Sequence, residues 1–199
     1  VGVVLLPDLS RRLRARDDAG ARDALSRAAE ISLALTLPSA VALVVIPIPL
    51  VSVLFERGAT TSDDVAAIAL AVMVYGLGLP AFVLQKLLQP LFYARENTKA
   101  PFRYALVSMV INAAIALGLA PFLGWIACAI ATTLAAWAMV GLLYLGTRPM
   151  GEVARFDLRF RTRIPRIVLA SLLMGAVLWG AMVVLMPTPL PRERIFCIY

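Results

Sequence analysis

Residues 104–147 read YALVSMVINAAIALGLAPFLGWIACAIATTLAAWAMVGLLYLGT, a run in which no side chain is charged. One membrane-spanning helix needs about 20 mostly apolar residues, so this run is long enough for two. It contains Pro121, Phe122, Leu123 and Gly124, which is typical of a helix stop followed by a turn. We therefore predict two membrane-spanning helices here, over residues 102–119 and 124–146.

The rest of the chain contains further spans of the same kind. Charge-free runs lie at residues 31–55, 65–85 and 167–191. Prolines at 187, 189 and 191 shorten the last helix to residues 167–186. With residues 1–6 as the apolar end of another helix, the sequence predicts an all-α polytopic membrane protein with five complete spans.

The composition excludes most other classes of protein. The 199 residues are 61% hydrophobic and 16% charged, whereas an average soluble domain is about 45–50% apolar and about 25% charged. A soluble domain of this size would leave large apolar patches exposed. The chain also begins with Val1 and has no signal peptide, so we expect it to be a piece of a longer protein.

The residues that enzymes use most are missing or isolated. The chain has no histidine, which excludes a histidine base, a Ser–His–Asp triad and histidine metal ligands. Two cysteines cannot complete a four-ligand metal site. Because Cys128 lies in an apolar run, we expect it to be a small buried thiol, and a disulfide to Cys197 is disfavoured. We predict no enzyme activity, no catalytic residue, no cofactor and no metal.

The basic residues alternate from one connection to the next. Residues 7–30, 93–103 and 147–166 together hold fifteen Lys and Arg, whereas the two connections between them hold only Arg57. Because loops rich in Lys and Arg stay in the cytoplasm, we predict that residue 1 and these three segments are cytoplasmic and that the C-terminal tail is outside. The net charge of +7 therefore follows from topology, with some contact to lipid head groups, and does not indicate nucleic-acid binding.

Prolines, glycines and small residues mark the spans. Prolines at 38, 47 and 49 interrupt the first complete span, and Gly76, Gly78 and Pro80 fall within the second, where kinks are expected. Such kinks fit either the bending helices of a transporter or static bends, and the sequence favours neither. Small residues spaced by four, at 127, 131 and 135 and again at 176 and 180, are expected to let helices approach closely.

Four polar residues within the spans are candidates for lining a substrate cavity. Lys86 is a basic residue within a predicted helix and is flanked by Gln85 and Gln89. An intramembrane charge suggests a function, although Lys86 is near enough to the basic loop to reach the head groups instead. Asn112 is deep in the next helix and is expected to bond a neighbouring helix. Thr132 and Thr133 are expected to bond back to their own helix.

Several segments together resemble one protein family. They are VLLPDLSRR at residues 3–11, LPSAVAL at 37–43, LFERGATTSDD at 54–64 and LLQPLFYARENTKAPFR at 87–103. The last is the most specific, because seven of its residues stand at the family's spacing: Pro90, Phe92, Tyr93, Arg95, Thr98, Lys99 and Pro101. The chain resembles the MurJ (MviN) family of lipid II flippases over residues 3–186, from the end of the eighth helix through the thirteenth.

The resemblance implies a fold and an activity. The expected fold is a helical lobe of the multidrug/oligosaccharidyl-lipid/polysaccharide exporter type. Residues 1–146 would supply second-lobe helices with cytoplasmic loops 7–30 and 93–103. Residues 147–199 would supply a basic loop, an additional C-terminal helix and a shortened tail.

The implied partner is lipid II, the undecaprenyl-diphosphate-linked peptidoglycan precursor, which would be moved to the outer leaflet of the bacterial inner membrane. Membrane lipids and the missing N-terminal lobe are the other implied partners, and the family's main cavity arginines would lie upstream of this chain. On this resemblance Arg95, Lys99 and Arg103 become candidates for a cytoplasmic gate loop.

Other functions remain open at this point. An exporter of another polyprenyl-linked oligosaccharide would have the same features, because a fold does not fix its substrate. A non-transporting membrane scaffold would need no polar residue facing a cavity. A lipid-modifying membrane enzyme is disfavoured, since no histidine and no pair of intramembrane carboxylates is present.

Overall fold

A computed structural model describes residues 7, 10–12, 15, 17–55, 62–148 and 158–185. Within these residues the chain forms α1 (Asp18–Val45), α2 (Pro47–Phe55), α3 (Ser62–Tyr93), α4 (Lys99–Leu123), α5 (Ile126–Thr147) and α6 (Leu158–Leu185). Five of these helices, all except α2, are long and apolar enough to cross a membrane. The predicted all-α fold with five spans is confirmed. The apolar residues 1–6, Cys197 and the tail lie outside the described residues.

The first span begins before the apolar run at residue 31 and breaks at one of its predicted prolines. Asp17 caps α1 by accepting a hydrogen bond from the backbone of Gly20 at 2.9 Å. The helix passes through Pro38 and ends at Val45. The break falls before Pro47, which begins α2. Proline is favoured at the first helical position, where its missing N–H has no intrahelical partner to lose.

Two later boundaries also differ from the predicted ones. Pro121 lies inside α4, which ends at Leu123, so the predicted stop at this proline is wrong. The turn comes at Gly124, which has a φ of 55° and donates its backbone N–H to the carbonyl of Ala120 at 2.9 Å. A left-handed φ of this kind favours glycine, and this residue therefore ends the helix. Helix α3 also continues beyond the charge-free run that ends at residue 85, to Tyr93, and so includes Lys86 as expected.

The five spans lie side by side in a row. Helix α5 packs between α4 and α3, α3 packs between α5 and α1, and α1 packs between α3 and α6. The short α2 packs on the first turns of α3, where Val51, Val65 and Ala69 form a small buried cluster. Helices α4 and α6 therefore form the two edges of the row.

Small residues explain part of this packing. Ala127, Ala131 and Ala135 are buried on α5, as their spacing predicts. Ala176 is exposed and Gly180 has open space beside it, so the predicted close approach at this pair is wrong for the described residues. The approach occurs at Gly175 instead, where an added Cβ would lie 2.5 Å from Cγ1 of Val41.

The exposure of Cys128 also differs from the prediction. The sequence predicts a buried thiol, but Cys128 is free and exposed. It follows Ala127 on α5, and successive residues of a helix point about 100° apart. Because the alanine face is turned toward the neighbouring helices, Cys128 lies on the outward face.

Candidate functional site

The ends of several helices that carry basic residues meet around one buried cluster. Its members are Ala21, Leu25 and Ala29 of α1, Leu87, Leu88, Leu91 and Phe92 of α3, and Met139 and Leu143 of α5. The start of α4 and Phe160 of α6 pack against its rim. We call this region the basic end of the molecule. At the basic end, side chains from segments that are far apart in the sequence lie near each other.

Lys86 points away from this cluster. The side chains of Leu87 and Leu88 are 2% exposed, whereas Lys86 is exposed. The helix continues seven residues beyond Lys86 to Tyr93, which corresponds to about 10 Å. Among the described residues, no carboxylate forms an ion pair with its ammonium group. Lys86 therefore lies on a face of α3 that the rest of the described chain leaves uncovered.

The three other polar candidates make no hydrogen bond to Lys86 in the described part of the chain. The Gln85 side chain faces α5 and donates from Nε2 to the carbonyl oxygen of Ala136 at 2.9 Å. Gln89 is half-buried. Asn112 is half-buried on α4, and no described helix accepts or donates a hydrogen bond at its side chain. The expected bond from Asn112 to a neighbouring helix is therefore absent from the described part of the chain.

The gate-loop candidates lie on a short hydrogen-bonded turn and the helix after it. Residues 94–98 separate α3 from α4, so Lys99 and Arg103 belong to the first turns of α4 and are not loop residues. The backbone N–H groups of Arg95 and Asn97 donate to the carbonyl oxygen of Phe92 at 3.2 and 3.0 Å. Arg95, Lys99 and Arg103 are all exposed. The predicted loop 93–103 is thus half helix, and its three cations lie at its surface.

An aromatic contact joins three helices beside this turn. The rings of Phe92 on α3 and Tyr104 on α4 lie edge to face with centroids 6.1 Å apart. Tyr104 also covers Gly146 on α5, where an added Cβ would lie 2.5 Å from the tyrosine hydroxyl oxygen. A cavity of about 620 Å³ opens beside them, with Arg95 and Asn97 in its wall.

A second cavity at the basic end was not anticipated from the sequence. It has a volume of about 660 Å³ and lies between α1 and α6. Glu30 and Arg163 bridge it with an Oε1–Nη1 distance of 2.6 Å. The local sequence around Glu30 does not identify Arg163 as its partner. The sequence signal for this site is the position of Glu30, which directly precedes the first apolar run.

Hydrogen bonds from side chains to backbone join α3 and α5 near Pro80. Thr133 donates to the carbonyl of Val74 at 3.0 Å, and Trp137 donates to that of Leu77 at 3.2 Å. The prediction that Thr133 bonds within its own helix is wrong, whereas Thr132 does so, to Cys128. Gly78 makes room for this contact, because an added Cβ would lie 3.2 Å from Oγ1 of Thr133. Hydrogen bonds thus join the part of α3 that precedes Pro80 to α5.

In the part of the chain that the structure describes, no group of three His, Cys, Asp or Glu side chains could hold a metal ion. What the basic end offers is exposed cations, two cavities and a long apolar helix surface. These features can bind and orient a molecule that has a polar head and an apolar tail.

Comparison with known proteins gives one consistent result. The chain matches a family model described as "Lipid II flippase MurJ" over residues 1–193. A relative from Rhizobium meliloti named "Probable lipid II flippase MurJ" is 41% identical over 181 residues, which cover 91% of this chain and 34% of the relative. A relative of the same name from Rhizobium tropici is 37% identical over 178 residues, covering 89% of this chain and 33% of the relative.

A solved structure shares the fold. It is titled "Lipid II flippase MurJ, inward closed conformation" and matches with a TM-score of 0.76 at 28% identity, covering 91% of this chain and 36% of that chain. The chain therefore spans about one third of the length of the relatives that it matches.

Proposed function

We propose, since this chain belongs to the MurJ family of lipid II flippases, that it forms part of a transporter for lipid-linked peptidoglycan precursor. The transported molecule would be lipid II, moved from the inner to the outer leaflet of the bacterial inner membrane. The match of the family model over residues 1–193 carries this proposal. The step is a transfer between leaflets without making or breaking a covalent bond, so it needs no catalytic residue.

The features of the basic end support this function. Lipid II combines a diphosphate, which cations attract, with a long polyprenyl chain, which an apolar surface can accommodate. Lys86 lies on an uncovered face of α3, and a charge in low-dielectric surroundings attracts an anion more strongly than it would in water. We assign Lys86 to the mouth of the transport cavity, where it attracts the incoming diphosphate.

The turn after α3 has a related role in this proposal. Arg95, Lys99 and Arg103 are exposed at the basic end, on or beside the turn that joins α3 to α4. They form the gate through which the head group approaches. Gln85 has a supporting role, because its bond to α5 fixes the turn of α3 that carries Lys86.

The orientation follows from the distribution of charge. Fifteen of the Lys and Arg residues lie in the three predicted cytoplasmic segments, against one in the two predicted outer connections. The proposal therefore places the basic end in the cytoplasm, the leaflet in which the precursor is made.

Complementation tests the proposal directly. The gene for the full-length protein is expressed in cells whose own lipid II flippase is depleted, with an empty vector as control. We expect growth and normal accumulation of peptidoglycan. Failure to restore growth, with the protein present in the membrane at normal levels, would count against lipid II as the substrate and favour another polyprenyl-linked glycan.

A further inference from the structure

The cleft between α1 and α6 has an unusual balance of charge for this end of the molecule. The described charged residues that line it are Asp23, Arg27 and Glu30 from α1 and Arg163 from α6. Two carboxylates and two guanidinium groups therefore face a cavity of about 660 Å³. The surrounding surface is basic, but the charges of these described lining residues balance.

Both ion pairs in the cleft leave room for a further ligand. Arg163 contacts Glu30 through one nitrogen at 2.6 Å, and half of its side chain remains exposed. Arg27 contacts Asp23 at 2.9 Å, with exposed fractions of 67% and 44%. A guanidinium has five N–H donors and a carboxylate can accept about four hydrogen bonds, so these contacts use only part of the capacity of each group.

The cleft continues from the charged groups onto the apolar surface of the spans. Ile31 and Ala34 line it from α1, and Ile167 lines it from α6. Ile31 is 60% exposed and directly follows Glu30. A ligand in this position would have its polar part among the charges and its apolar part along the helices, which is the arrangement of a membrane lipid at the head-group boundary.

We propose that this cleft binds the head group of phosphatidylethanolamine. The lipid phosphate receives hydrogen bonds from Arg27 and Arg163, and the ammonium group donates to Asp23. The balanced charge selects a zwitterionic lipid over an anionic one, because the carboxylates oppose a net negative ligand. Phosphatidylcholine is disfavoured, because its trimethylammonium group has no N–H to donate. This binding is independent of lipid II and of transport.

Lipid binding to the purified full-length protein tests the proposal. The protein is stripped of lipid in detergent and titrated with phosphatidylethanolamine, phosphatidylcholine or phosphatidylglycerol of identical acyl chains, and the bound lipids are counted by native mass spectrometry. We expect phosphatidylethanolamine to bind about three- to fivefold more tightly than the other two, which is the effect expected from one or two partly exposed charge contacts.

Variants locate the binding site without disturbing the helix packing. Arg27→Gln and Asp23→Asn change only the pair within α1 and keep the bridge between Glu30 and Arg163. Each is expected to reduce phosphatidylethanolamine binding to the level of phosphatidylcholine. Arg12→Gln is the matched control, because Arg12 is a partly exposed arginine paired with Asp17 at 3.5 Å outside the cleft. Equal affinity for all three lipids, tightest binding of phosphatidylglycerol, or wild-type binding by both cleft variants would overturn the proposal.

Discussion

Gly175 lies at a close approach of α6 to α1. An added Cβ would lie 2.5 Å from Cγ1 of Val41, whereas nothing lies within 4 Å of an added Cβ at Gly180. Val41 is β-branched and helical, so its side chain has little freedom to move aside. We expect the free energy of unfolding of Gly175→Ala to be about 1–3 kcal/mol lower than that of Gly180→Ala. Thermal unfolding in detergent measures the difference, and equal stability of the two variants would contradict the packing described.

The next prediction concerns the role of Lys86 in transport. If its charge attracts the diphosphate, Lys86→Ala and Lys86→Gln should both impair rescue of flippase-depleted cells at normal expression, while Lys86→Arg retains more activity. If Lys86 only extends its ammonium to the lipid head groups, all three variants should rescue equally. Arg148→Gln is a suitable control, because Arg148 is an exposed cation at the end of α5 and has no assigned role in the cavity.

Two adjacent threonines make hydrogen bonds of different kinds, one between two helices and one within a single helix. Thr133 donates to the carbonyl of Val74 on α3, whereas Thr132 donates to Cys128 on its own helix. Replacing either by valine removes a hydroxyl and keeps the shape of the side chain. We expect Thr133→Val to lower the free energy of unfolding by about 0.5–1.5 kcal/mol and Thr132→Val to leave it nearly unchanged. Unfolding titrations with denaturing detergent provide the measurement, and a larger loss for Thr132→Val would contradict the assignment.

The spans could be predicted from the sequence because apolar length is set by the membrane and not by neighbouring helices. The helix breaks were harder to predict. Pro121 resembles a stop in the sequence, yet α4 continues through it to Leu123. Of the three prolines predicted to interrupt the first span, α1 continues through Pro38, and the break falls before Pro47. Within a membrane, neighbouring helices and hydroxyl side chains can satisfy the carbonyls that a proline frees, and a single sequence does not show which neighbours are present.

The candidate site was predictable only in part for a similar reason. The sequence identifies Lys86 as an unusual charge, but its exposure depends on where α5 packs. The direction of Thr133 and the exposure of Cys128 depend on the same packing. The bridge between Glu30 and Arg163 joins residues 133 positions apart, which no local pattern reveals.

The row of helices accounts for the large apolar surface of this chain. Helix α4 contacts α5 on one side, and no residue of its most apolar 18-residue stretch is buried. On α6 the buried share of the same stretch is 11%, against 50% for α5, which packs between α4 and α3. Exposed side chains such as Leu117 and Val177, at 77% and 72%, would be unfavourable in water and are suited to lipid. The whole arrangement is therefore stable only in a membrane or when other helices cover it.

The orientation of this row in the membrane is the last prediction. In a background with Cys128 and Cys197 changed to serine, single cysteines are placed at Asp18, Gly58 and Arg148. Asp18 and Arg148 are exposed at the basic end, while Gly58 lies outside the described residues. Because basic segments are retained in the cytoplasm, an impermeant thiol reagent should label only residue 58 in intact cells and all three positions after permeabilisation. Labelling at 18 or 148 in intact cells would place the basic end outside, and the proposed gate at Arg95, Lys99 and Arg103 would then face away from the leaflet that is proposed to supply the precursor.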